Sequence, residues 1–95
     1  MKTLNILGYT YKVDLSKPLS LMKGNIGYCD FNRKLLRVAN DVDDDVSNST
    51  LLHEIIEAIN YHLEIELEER QVKQLEVGLH QVLKDSGFKL ELLRK

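Results

Sequence analysis

The sequence predicts an α+β domain in which a small, antiparallel-rich sheet of about four strands precedes a two-helix antiparallel hairpin. Three observations predict it. Apolar and polar residues alternate over positions 1–40, the period becomes helical from Asp43 onward, and two helical stripes are separated by a short segment with no such period. Ninety-five residues make one domain, 1–95, and no internal repeat, low-complexity run or linker divides it.

Leu4 and Ile6 alternate with Asn5, Gly8 breaks the run, and Tyr9, Tyr11 and Val13 alternate with Thr10 and Lys12, which is the pattern of a first hairpin. Residues 16–23, which hold the only proline, Pro18, read as a connection, and Gly24-Asn25-Ile26-Gly27 as a tight turn. A second strand pair is expected at 26–31 and 35–39, on either side of the polar turn Asn32-Arg33-Lys34. Leu51, Leu52, Ile55, Ile56, Ile59 and Leu63 then stack along one side of a helix over 44–63, with Asp43 or Ser47 as its N-cap. Val72, Leu75, Leu79, Val82 and Leu83 give a second helix over 69–85, ending before Ser86-Gly87. Phe88, Leu90, Leu92 and Leu93 form an apolar tail over 88–95 that either packs back on the body or frays.

Composition excludes several function classes. Thirteen basic against fifteen acidic side chains leave a net charge of −2, so nothing draws the chain to phosphate backbones or anionic lipid, and nucleic acid is not an expected partner. No apolar stretch approaches the roughly 18–20 residues that span a bilayer, and the first residues lack the apolar core of a signal peptide. A cytoplasmic protein without a membrane partner is the expectation. Cys29 is the single cysteine, so an internal disulfide is impossible, and on its strand it reads as a small core hydrophobe. Asp41-Val42-Asp43-Asp44-Asp45 begins like a calcium loop, but Val46 stands where the turn glycine belongs. It reads instead as an acidic helix cap. His62, near the end of the first helix, is expected to act as a cation site when protonated.

The residues with chemical content are Leu51-Leu52-His53-Glu54-Ile55-Ile56-Glu57-Ala58-Ile59. In a zinc peptidase helix, two histidines at i and i+4 hold one metal and the glutamate between them acts as general base. Here Glu57 takes the second histidine's place. Two glutamates and one histidine around a divalent cation sum to zero charge, against +1 for two histidines and one glutamate, so the ion is a weaker Lewis acid. The exchange also moves preference toward harder ions such as manganese or calcium. A further ligand must come from the second helix. If the hairpin folds near residue 66, Glu76 and His80 lie level with Glu57 and His53. The plain alternative is that His53 and Glu57, roughly 120–165° from the centre of the apolar stripe, are solvated surface neighbours.

The stretch Thr50-Leu51-Leu52-His53-Glu54-Ile55-Ile56-Glu57-Ala58-Ile59, preceded by Gly27-Tyr28-Cys29-Asp30, resembles the minimal zincins of gluzincin type. Small phage and prophage proteins of Gram-positive bacteria look similar over nearly the whole chain, including Gly78-Leu79-His80-Gln81-Val82-Leu83-Lys84-Asp85. The resemblance implies a zincin-like fold, His53 as first metal ligand and Glu54 as catalytic general base; Glu57 stands in the second ligand's position without matching it. With Glu76 as third ligand, His53 and Glu57 would hold one divalent metal, zinc first. Two function classes follow. The favoured one is a degenerate minigluzincin-like scaffold that binds a protein partner of host or phage without catalysis and without a metal. The other is a weak or narrowly specific metal-dependent hydrolase. An oligomeric structural part of a phage particle, joined through edge strands, is a third expectation.

Overall fold

The structure, a computed structural model, describes residues 2–87. Along the chain come β1 (Lys2–Ile6), β2 (Tyr9–Asp14), β3 (Gly27–Asp30), β4 (Leu35–Val38), α1 (Asp44–Leu63) and α2 (Glu69–Asp85), with a 3₁₀ turn at Leu19–Leu21. This is the α+β order that the change of period predicts. Both helices cover the expected residues, because their ends are written locally. The Asp43 carboxylate accepts the Val46 amide at 2.9 Å to start α1, and Glu68 and Gln71 cap the start of α2 reciprocally.

The first hairpin pairs Leu4 with Tyr11 and Ile6 with Tyr9. Its two-residue turn needs left-handed backbone at both positions, and Leu7 (φ 55°) and Gly8 (φ 89°) supply it, with the Asn5 side chain accepting the Gly8 amide at 2.8 Å. β3 and β4 form a second antiparallel pair. The two pairs join through a parallel contact, Val13 opposite Leu36, so the strand order is β1-β2-β4-β3 and the sheet is mixed. Local alternation predicts each hairpin but is silent on how they join. The long β2–β3 connection carries the chain past β4, and β3 becomes the outer edge.

Asp14 and Arg37 hold the parallel junction. Arg37 Nε donates to Asp14 at 2.7 Å, the Ser16 amide and hydroxyl donate to the same carboxylate, and Arg37 also reaches the Tyr28 hydroxyl on β3. Burial by itself would raise the Asp14 carboxyl; the Ser16 donors and Arg37 outweigh it and leave it below its ordinary value.

α1 lies between the sheet and α2, which is why its apolar residues come in adjacent pairs about 100° apart. Leu51 and Ala58 pack on Tyr11, Val13, Leu36 and Val38 of the sheet, with Cys29 and Ile55 alongside. Leu52 and Ile56 turn the other way, onto Val72, Leu67 and Leu83. Cys29 is thus the packing residue that its strand position suggests. The predicted stripe of α2 is covered only in part: Val72 is fully buried, whereas Leu75, Leu79 and Val82 are 44%, 44% and 56% exposed. α2 rests chiefly on α1, so among the described residues only one narrow side of it is covered. The apolar tail over 88–95 lies outside the described residues. Among the described residues, no helix is long and apolar enough to cross a membrane.

Candidate functional site

The polar side of α1 is not an open surface. α2 stands on one flank and the start of β3 on the other, making a cleft of about 490 Å³ with Thr50, His53 and Glu54 at its base, Gly24–Gly27 on one wall, and Glu69, Lys73, Glu76 and His80 on the other. The His53 side chain is 14% exposed and that of Glu57 27%, so the surface-neighbour reading does not describe them.

His53 has a carboxylate beside each ring nitrogen. Nδ1 is 2.8 Å from Glu76 Oε1, and the other oxygen of Glu76 accepts the Ser49 hydroxyl. A carboxylate can only accept, so the hydrogen of this bond sits on Nδ1 and Nε2 points into the cleft. There Nε2 meets Glu69 Oε1 at 3.1 Å and Glu57 Oε2 at 4.0 Å. His53, Glu57 and Glu69 each offer one donor atom, all within 4.8 Å of one another, and they form a group able to hold a metal ion. A tetrahedral ion with ligands at about 2.0–2.1 Å sets neighbouring donors about 3.4 Å apart, which falls between the two distances here. The three residues are a group that could hold a divalent cation. Glu76 belongs to the arrangement differently from the ligand role expected of it, because it occupies Nδ1 and so orients the ring, the position from which carboxylates commonly brace a ligating histidine.

Sequence reasoning missed Glu69. Its position depends on the loop: Asn60 clamps Leu67, accepting its amide at 2.9 Å and donating to its carbonyl at 3.4 Å, and this folds the first turn of α2 back over α1. Cross-helix pairs such as Asp45–Lys84 and Asn60–Leu67 centre the reversal near residue 64 instead of 66. His80 lines the cleft but lies outside the three-residue group. The available signal was an asparagine one turn before the helix end, followed by an acidic first turn of the next helix.

Glu54 is 7% exposed, and burial pushes its carboxyl up to about 7; His53 works against the shift, while Glu57, Glu69 and Glu76 add to it. Burial, and after it Glu69, raises Glu57 as well. Four carboxyl groups therefore crowd one imidazole. β3 crosses closely above them: a Cβ at Gly27 would lie 2.5 Å from Thr50 Cγ2 and 2.9 Å from the Arg37 carbonyl oxygen, so only glycine fits. Ala39 donates to the Ile26 carbonyl at 2.8 Å, and antiparallel alternation then turns the amides and carbonyls of Gly27 and Cys29 away from β4, along the outer edge. His62 lies in the last turn of α1, where the sequence places it, and is half-buried. Its Nε2 is 2.6 Å from the buried Tyr11 hydroxyl, and its ring stacks on Tyr9 at 4.0 Å.

No protein-family model matches the chain, and neither does any curated protein or solved structure.

Proposed function

We propose that this chain is a divalent-metal-dependent hydrolase of peptidase type, with His53, Glu57 and Glu69 as ligands, Glu76 orienting His53, and Glu54 as general base. The observation that carries the reading is His53 itself, braced at Nδ1 by Glu76 and aimed with Nε2 at two carboxylates on two different helices. Such a place calls for positive charge. When bound, the cation supplies Lewis-acid polarisation of a substrate carbonyl, zinc being the first candidate.

The chain's own groups do the rest. Glu54 sits beside His53 in sequence at the base of the cleft and takes a proton from water there, a task for which a carboxyl near 7 is matched at neutral pH. The outward amides and carbonyls of Gly27 and Cys29 offer pairing to an extended peptide, which fixes its scissile bond over Glu54. Two carboxylates and one imidazole would cancel the charge of a divalent ion and leave it a weak Lewis acid, so the activity is slow or narrow in substrate.

Calorimetric titration of metal-free, untagged protein with zinc and manganese tests the reading. One equivalent is expected to bind and raise the melting temperature, His53→Ala and Glu69→Gln should abolish or weaken this, and Glu76→Gln should weaken binding about 10–100-fold. Glu54→Gln should keep the metal and lose cleavage of a fluorogenic peptide library. Wild-type protein that takes up no metal refutes the hydrolase.

A second reading, binding of a host or phage protein without catalysis, is favoured by the β3 edge, which no other strand pairs among the described residues, and by a ligand set that would leave a divalent ion with no net charge. Partner capture that survives His53→Ala, with no peptide cleaved by metal-loaded protein, supports it. Light scattering distinguishes self-association through the same edge.

A further inference from the structure

Two carboxylates compete for the single ring hydrogen of a neutral His53. Carried on Nδ1, it goes to Glu76 Oε1 at 2.8 Å; carried on Nε2, it goes to Glu69 Oε1 at 3.1 Å. Only the first arrangement leaves the Nε2 lone pair in the cleft for a cation. Whatever decides between the two acceptors decides whether the site is ready for a metal before one arrives.

The acceptors differ in how firmly they are held. The Glu69 side chain is 62% exposed, so water competes for its oxygens, whereas that of Glu76 is 17% exposed. Glu76 is also fixed at its second oxygen, which accepts the Ser49 hydroxyl. Ser49 and His53 stand four residues apart on α1, on successive turns, and the one carboxylate from α2 spans both. With Oε2 engaged, the carboxylate is restrained from rotating and Oε1 stays opposite Nδ1.

α1 by itself gives no reason for a serine at this position. Ser49 lies in the second turn, past the cap at Asp43, where serine is a poorer helix former than alanine. A serine inside a helix commonly turns its hydroxyl back to the carbonyl four residues earlier; this one reaches across to α2 instead. The cross-helix pair one turn before it, Asp45–Lys84, has both side chains more than half exposed and holds the helices only loosely.

We propose that Ser49 is a positioning residue of the metal site: through Glu76 it fixes His53 in the Nδ1–H form, with Nε2 directed at Glu57 and Glu69, before an ion is bound. The consequence for metal affinity rests on the metal reading of the cleft. The state of the ring does not, because it is a property of the metal-free chain.

The test uses the full chain with ¹⁵N-labelled histidine in EDTA, at a pH high enough that each ring carries one hydrogen. Long-range ¹H–¹⁵N spectra report which nitrogen carries it, and His62 and His80 serve as internal references. His53 is expected to be predominantly Nδ1–H. Ser49→Ala should raise the Nε2–H share of His53 and leave His62 and His80 as they are, and Ser49→Thr, which keeps a hydroxyl, should restore the wild-type ring. Zinc added to the same samples should bind Ser49→Ala about three- to tenfold more weakly than wild type, a smaller loss than that of Glu76→Gln, since Ser49 acts only through Glu76. A wild-type His53 that is mainly Nε2–H overturns the proposal, and so does a Ser49→Ala protein in which all three rings change together, which would mark a role in the fold alone. Wild type that shows the Nδ1–H ring and its dependence on Ser49 but takes up no zinc refutes the hydrolase reading alone. Protein that binds zinc equally well with and without the Ser49 hydroxyl refutes the positioning role alone.

Discussion

Replacing Glu54 by glutamine should stabilise the metal-free protein, and increasingly so as the pH rises through neutrality. The native carboxyl is raised from 4.5 to about 7, first by burial and then by Glu57, Glu69 and Glu76 against the pull of His53. An acid whose pKa is higher in the folded state holds its proton more tightly there, so stability falls as pH rises from the unfolded value through the folded one. At about 1.4 kcal/mol per unit, the cost of burying Glu54 grows from about 1 kcal/mol at pH 5 to about 3 kcal/mol at pH 8. Glutamine has the same shape and no charge to desolvate. Urea unfolding in EDTA at the two pH values measures the effect, and the difference between wild type and Glu54→Gln should widen by about 2 kcal/mol between them. Titrating groups remote from Glu54 cancel in that difference, and His53, Glu57, Glu69 and Glu76, which interact with it, are part of the effect measured. A gap of the same size at pH 5 and pH 8 would refute the account of Glu54 as a buried, reluctant carboxylate.

Two further outcomes follow from the sheet. Gly27→Ala forces a Cβ against Thr50 and the Arg37 carbonyl, and should cost about 1–3 kcal/mol in urea unfolding. Adding Thr50→Ser, which removes the nearer clash, should restore part of it; unchanged stability in the single variant contradicts the close crossing of β3 over α1. Asp14→Asn leaves Arg37, with its side chain 19% exposed, without its counter-charge and should cost about 3 kcal/mol near neutral pH. Because the folded Asp14 carboxyl lies below its ordinary 3.8, its contribution is present above that value and is lost as pH falls through the folded value. Wild type and variant should therefore converge in acid, and melting curves at pH 2 and pH 7 check it.

The helices were legible because their boundaries are local events. Asp43 marks the start of α1 without any knowledge of the rest of the chain, and the stripe from Val72 to Leu83 marks the extent of α2. His53 and Glu54 were legible for the same reason, as neighbours on one helix. Glu69 was not, because its approach to His53 depends on a loop whose path is set by one Asn60–Leu67 clamp across seven residues. The parallel β2–β4 contact escaped similarly, since alternation reports which face a side chain takes and not which strand lies beside it. The exposed residues of α2 show a third gap. A 3.6-residue period identifies a helix but cannot say how much of its stripe a partner covers, and here Val72 is buried while Leu79, two turns on, is open.

The cluster around His53 is best understood through its electrostatic cost. Two like charges about 4 Å apart repel by about 4 kcal/mol at the effective dielectric of a protein surface, and a domain of this size has only about 5–10 kcal/mol of net stability to set against it. Glu57 and Glu69 converge on one nitrogen, Glu76 takes the other, and Glu54 lies buried beside them. A fold shaped only by stability would disperse these groups or neutralise them with lysine. Lys73 lines the same cleft, but it is the imidazole that the three carboxylates contact. A divalent ion at Nε2 would turn the same repulsion into attraction from each carboxylate at once. The burden on the metal-free fold and the affinity of the proposed metal site would thus have one source, and removing a single charge by Glu69→Gln should raise the stability of the metal-free protein while lowering its affinity for the ion.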